Sequence, residues 1–154
     1  MPAPKKTSGA VSVESAREQL KAAALRCTPS RIAILRLLSQ SDQPLSHSDV
    51  AERLRESGFD PSTAYRALIE LADTGLLIRL DIGDQIRRYE FKHVTPKTAA
   101  TGKRAHDDRE HPHFVCLDCG HVTCLTDVTV QLPKSRAVGK VTEILLRGHC
   151  VNCL

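Results

Sequence analysis

The chain has 154 residues, of which 41% are hydrophobic and 26% charged, as expected for one globular domain or two small ones. No apolar run approaches the roughly 18 residues that a membrane span needs, and the start MPAPKKTSGAVS lacks the apolar core of a secretory signal, so a cytoplasmic protein is expected. The net charge of +4 divides evenly, 14 basic against 12 acidic groups in residues 1–92 and 8 against 6 in residues 93–154, so it implies no nucleic-acid partner by itself; residues 1–36, however, carry seven Lys and Arg against two Glu.

Residues 1–12, rich in Pro, Lys, Ser and Gly, are expected to be a disordered tail. From Glu14 to about Arg26 the pattern is helical, with Ala16, Leu20, Ala23 and Ala24 on one face. Thr28 is placed to cap a second helix with Pro29 in its first turn and Ile32, Leu35 and Leu38 as its apolar stripe. Ser46 opens a third helix, through Val50 and Leu54, that ends near Gly58. Asp60 caps a fourth, followed again by proline; Ala64, Leu68, Leu71 and Ala72 form its inner face and Gly75 stops it. The runs LLIRL (76–80) and IRRYEF (86–91), joined through Gly83, read as a β-hairpin.

Helices followed by a hairpin are the order of a winged helix-turn-helix, expected over residues 13–92, whose last helix enters the major groove of DNA. Ser62, Thr63, Tyr65 and Arg66 lie on the outer face of the fourth helix, near its start. Arginine grips guanine edges or phosphates, and Thr and Tyr reach thymine methyls and backbone. A merely solvated face has the same composition; the hairpin that follows favours DNA.

Residues 93–110 are polar, contain Pro96 and Gly102 and lack apolar periodicity, so they read as a hinge in which His93 and His106 are solvated. Beyond it, residues 111–154 hold five of the six cysteines. Cys116-x-x-Cys119 is followed, after 30 residues, by Cys150-x-x-Cys153. Two such pairs match a four-thiolate structural Zn²⁺ site, the more so where thiols stay reduced. Unrelated thiol pairs or a redox dithiol are the alternatives, but a redox pair belongs at a helix N-terminus in a βαβ unit, and neither pair has that context. A structural zinc also explains how about 40 residues hold a fold around so small a core.

The stretch HPHFVCLDCGHVTCL carries more donors than that site needs. His111 and His113 precede a strand-like run, and side chains two apart on a strand share a face, so two imidazoles make half of a second metal site. Cys124 lies on the returning run HVTCL, either as a further ligand or as a small buried hydrophobe. Glu90, at the end of the hairpin, is within reach across the hinge.

The motifs CTPSR (27–31), STAYRAL (62–68), GDQIRRYEF (83–91), HPHFVCLDCG (111–120) and GHCVNC (148–153) together resemble the ferric uptake regulator family of metal-dependent transcriptional repressors. The resemblance implies an α+β protein, an N-terminal winged helix and a small C-terminal α/β dimerisation domain stapled by zinc at Cys116, Cys119, Cys150 and Cys153. It implies a homodimer bound to a double-stranded DNA operator, with Tyr65 and Arg66 on the recognition helix and Arg26 where a basic side chain probes the minor groove. It also implies a regulatory divalent metal, Zn²⁺ or Fe²⁺/Mn²⁺, between the domains; Glu90, His111 and His113 match its ligands, and Cys124 stands where members often carry a carboxylate. The chain departs from the family in a longer hinge and in a shorter segment between the cysteine pairs, which leaves less room for a helix. Pro44 replaces a histidine that many members place before the third helix, with His47, three residues on, as the candidate substitute. Pro112 and Thr142 stand at ligand positions of an auxiliary metal site, which therefore looks absent. The expectation is a metal-responsive DNA-binding repressor that catalyses no reaction. A zinc-containing thiol or hydrolytic enzyme using His111, His113 and Glu90 is the alternative, and a plain zinc-ribbon interaction module is a third reading.

Overall fold

The computed structural model describes residues 10–92, 111–125, 128–131, 139, 141 and 143–154. The hinge, Thr142 and the first nine residues lie outside them. The chain divides after Lys92 into two units.

In the first unit, α1 (Val13–Ala22), α2 (Pro29–Ser39), α3 (His47–Arg53) and α4 (Pro61–Asp73) each begin on a side-chain cap; Thr28, Ser46 and Asp60 are as read from the sequence, and Ser12, which caps α1, was not. Each cap supplies an acceptor to backbone N–H groups that have no partner inside the helix. The expected tail stops short of residue 12, because the Val11 N–H donates to Ser39 Oγ (3.2 Å) and Arg36 Nε donates to the Val11 carbonyl (3.3 Å). Helix α1 is also shorter than its apolar pattern suggests. Ala24 adopts a left-handed φ of 56°, the conformation of a helix stop that usually belongs to glycine. Its Cβ is unfavourable there, so Ala24→Gly is expected to raise the stability of this unit by roughly 0.5–1 kcal/mol, read as a melting temperature a few degrees higher. An unchanged or lower melting temperature contradicts the strain at this position.

Strand β1 (Leu45–Ser46) joins β2 (Leu77–Asp81) and β3 (Arg87–Phe91) in an antiparallel sheet of order β1-β3-β2. The hairpin is as expected, with each strand starting one residue later. Strand β1 escaped the sequence reading because two residues are too short to show alternation. It pairs Leu45 with Tyr89, and both are buried. The core gathers Leu20, Ile34, Leu35, Leu38, Val50, Leu68 and Leu71, each fully or almost fully buried. Each such side chain contributes roughly 1.5–3 kcal/mol of burial free energy. Ile34 takes the central place in α2 that the spacing assigned to Ile32, and Ala67 joins the inner face of α4. Left-handed Gly75 (φ 80°) ends α4 and turns the chain into β2. Among the described residues, no helix is long and apolar enough to cross a membrane.

In the second unit, β4 (His113–Cys116) is the centre of a sheet of order β5-β4-β6, antiparallel to β5 (Val122–Cys124) and parallel to β6 (Leu145–Gly148). The two units together give the α+β class, with the three-stranded wing of a winged helix in the first. Only Val115, Cys116 and Val122 are buried hydrophobics among the described residues of the second unit, so packing alone gives it little stability.

Candidate metal centres and nucleic-acid interface

Strand alternation divides the donors of β4 between its two faces. His113 and Val115 point one way, Phe114 and Cys116 the other. On the Cys116 side the chain turns sharply after the strand. The Gly120 N–H donates to the Cys116 carbonyl (3.0 Å), with Gly120 at φ 69°, a value open to glycine and strained for other residues. The partner strand β6 pairs Gly148 with Cys116 and then delivers Cys150 and Cys153 on a second turn, closed by the Cys153 N–H to the Cys150 carbonyl (2.9 Å). The register of one parallel strand pair thus brings together cysteine pairs separated by 30 intervening residues.

The sulfurs of Cys116, Cys119, Cys150 and Cys153 all lie within 4.8 Å of one another, and Cys119 Sγ is 3.9 Å from Cys150 Sγ. Four thiolates at about 2.3 Å from a tetrahedral zinc stand about 3.8 Å apart, so the set fits that ion. The electrostatics agree. Backbone N–H groups of Cys119 and Cys150 aimed at the Cys116 sulfur bring its thiol down to about 6. The neighbouring sulfur of Cys150, followed by that of Cys119, pushes the Cys153 thiol well up. Four sulfurs this close cannot all be thiolates without a cation among them. The two turns are also joined at their outer edge, where His149 Nδ1 donates to Asp118 Oδ2 (2.5 Å).

On the other face, β5 pairs Cys124 directly opposite His113, and Val122 opposite Val115. Residues opposite each other in an antiparallel pair share a face, so Cys124 and His113 point the same way. The His111 and His113 rings lie 4.6 Å apart, centroid to centroid. The donor atoms of His111, His113 and Cys124 lie within 4.8 Å of one another. Cys124 itself is half-buried, on the face that it shares with the buried Val115, Val122 and His113. Glu90 belongs to the first unit, where it sits on β3 and is buried.

His47 joins neither group. It is the first residue of α3, its Nε2 lies 2.9 Å from the Pro61 carbonyl, and its ring meets Tyr65 edge-on at 5.2 Å. The other predicted surface residues fall as the pattern suggested. Ser62, Thr63, Tyr65 and Arg66 are exposed on α4 while Ala64, Ala67, Leu68 and Leu71 are buried beneath them. Hydrogen bonds from the Ser62 hydroxyl and from the Ser62 and Thr63 N–H groups hold the Asp60 carboxyl below the usual carboxylate range and fix the first turn of the helix. Arg26 is exposed in the segment before α2. Arg31 was missed by the sequence reading: its guanidinium donates to the Arg26 carbonyl (2.8 Å) and pairs with Glu70 of α4. It ties the segment carrying Arg26 to the helix carrying Arg66. Its place in CTPSR was the available signal, since an arginine three residues after a helix cap is poised to reach back over the cap.

The model of the ferric uptake regulator family matches residues 22–146 of the chain. A ferric uptake regulation protein of Legionella pneumophila is 29% identical over 138 residues, which cover 88% of this chain and 90% of the relative. One from Klebsiella pneumoniae is 30% identical over 142 residues, covering 86% and 83%. The crystal structure of the Vibrio cholerae ferric uptake regulator superposes with a TM-score of 0.60 at 25% identity, covering 87% of this chain and 98% of that one. A zinc uptake regulator complexed with zinc and DNA has the same fold, with a TM-score of 0.55 at 22% identity, covering 92% of this chain and 91% of that one.

Proposed function

The chain belongs to the ferric uptake regulator family, and on that premise we propose that it is a metal-responsive, sequence-specific DNA-binding repressor. It acts as a homodimer on a double-stranded operator in the reducing cytoplasm. The observation that carries this reading is the presence, on opposite faces of one strand, of two donor sets of different character. The four cysteines saturate one tetrahedral ion and leave no open position, which suits a structural zinc. His111, His113 and Cys124 form an incomplete set, which suits an ion that comes and goes. Glu90, buried on β3, is proposed as its remaining ligand on the family pattern. Binding and loss of that ion would couple metal supply to operator binding. On this reading the wing, Arg26 and the exposed face of α4 do the binding, and no reaction is catalysed.

Operator binding titrated with Zn²⁺, Fe²⁺ and Mn²⁺ separately, under reducing anaerobic conditions, tests the proposal; binding indifferent to every metal overturns it. Within that assay, Arg66→Ala is expected to weaken binding by roughly 1–3 kcal/mol, about five- to 150-fold, with zinc content and melting unchanged. Equal affinities for the two proteins across a range of salt would remove α4 as the reading helix.

A further inference from the structure

We propose that His47 is a positioning residue for DNA reading, whose imidazole braces the first turn of α4 and fixes the Tyr65 ring, and that it is not a metal ligand. The proposal rests on the reading of α4 as the helix that enters the groove.

The backbone of His47 is itself held. Ser46 and Asp49 form a reciprocal cap at the start of α3, with the Ser46 N–H donating to Asp49 Oδ2 (2.9 Å) and the Asp49 N–H to Ser46 Oγ (3.2 Å). Burial opposes the charge on Asp49, but the Ser46 hydroxyl and N–H outweigh it and keep that carboxyl below its ordinary range. From this fixed point the imidazole makes two contacts, and both fall on α4. The Pro61 carbonyl only accepts, so Nε2 carries the proton and donates to it across 2.9 Å. Of the two donor sets found among the described residues, neither includes His47. The second contact is the edge-to-face packing on Tyr65, with the ring planes 78° apart.

Pro61 and Tyr65 are four residues apart, one above the other on the same helical face. Ser62 and Arg66 form the neighbouring row. One imidazole therefore spans the row beside the proposed base-reading row. Tyr65 is 42% exposed, so the ring is flanked on one side while much of its surface stays open to DNA. Holding an aromatic side chain in place before binding removes the entropy cost of ordering it on the DNA. A histidine on a surface helix without this geometry would have no reason to aim both its polar and its aromatic contact at one turn of another helix.

The test uses the full zinc-loaded chain and a duplex that wild type selects from a randomised library. His47→Ala is expected to weaken binding about three- to tenfold, the value of ordering one side chain in advance. Tyr65→Ala weakens it too, and the double variant binds no more weakly than Tyr65→Ala alone, because His47 acts through that ring. His47→Gln keeps an N–H donor without the ring and should restore only part of the loss. Zinc per chain and the zinc concentration for half-maximal binding stay at wild-type values throughout. Additive losses in the double variant, unchanged binding by His47→Ala, or an altered zinc response in it each overturn the proposal while wild-type binding stands. A wild-type chain that selects no duplex overturns the reading of α4 itself.

Discussion

Replacing Cys150 by Ser is expected to strip the tightly held zinc from the chain and abolish the cooperative melting of the C-terminal unit, while the N-terminal unit melts as before. The asymmetry follows from where each unit gets its stability. The first has a closed core running from Ala16 to Phe91, with fifteen buried hydrophobic residues in one cluster. Among the described residues the second buries few apolar side chains, Val115, Cys116 and Val122 with Pro112 beside them, so it depends on the ion its cysteines gather. In such sites the free energy of metal binding, on the order of 10–16 kcal/mol, is folding free energy. Cys150 is a central member of the set. Its sulfur lies 3.9 Å from that of Cys119, and its N–H donates to the Cys116 sulfur across 3.4 Å. Serine at this position keeps the backbone N–H contact and loses the thiolate. Zinc retained by wild type after dialysis against EDTA should fall from one ion per chain toward none in the variant, and calorimetry should show the upper or lower transition missing. One tight zinc in the variant, with an unchanged melting curve, would show that the four sulfurs do not hold it.

The parts of this protein that are legible in sequence are those fixed by local chemistry. Helix starts could be read because Thr28, Ser46 and Asp60 are caps whose side chains satisfy nearby N–H groups, and Pro29 and Pro61 fit the first turn. The four-cysteine set could be read because each Cys-x-x-Cys turn presents two sulfurs to one point. Non-local effects were hidden. Ala24 stops α1 in a left-handed conformation that nothing in its apolar pattern announces. Strand β6 is only four residues long and is defined by its parallel pairing with β4, which sequence spacing does not reveal. The role of Cys124 turned on cross-strand register: alternation along β5 gave its face, and only the pairing with His113 gave what shares that face. His47 was a candidate ligand because it lies three residues after Pro44, where many family members carry a histidine; the contacts it makes in the structure, to Pro61 and Tyr65, are fourteen and eighteen residues further on.

Loss of the zinc response on replacing Cys124, as complete as that on replacing His113, is the second large effect expected. A thiolate beside two imidazoles, with the proposed Glu90 carboxylate, is a soft-to-borderline set of four. It suits tetrahedral Zn²⁺, whereas Fe²⁺ and Mn²⁺ favour more oxygen and nitrogen ligands at higher coordination. The donor atoms of Cys124, His111 and His113 are within 4.8 Å of one another, and Cys124 and His113 are directly opposed in the sheet. Cys124→Ser and His113→Ala should therefore both abolish zinc-dependent DNA binding while keeping the structural zinc and the melting curve. Cys124→Asp replaces the soft donor by a hard one. Its zinc response should weaken by about tenfold or more, while its manganese response changes less or improves, since ligand softness rather than overall affinity separates these ions. Cobalt titration gives a reading that does not pass through DNA: a thiolate-to-cobalt charge-transfer band at this site in wild type, absent in both Cys124 variants. If His113→Ala loses metal-dependent binding while Cys124→Ser and Cys124→Asp respond to zinc as wild type does, the thiol is only part of the buried face, and the argument for a zinc sensor falls with it.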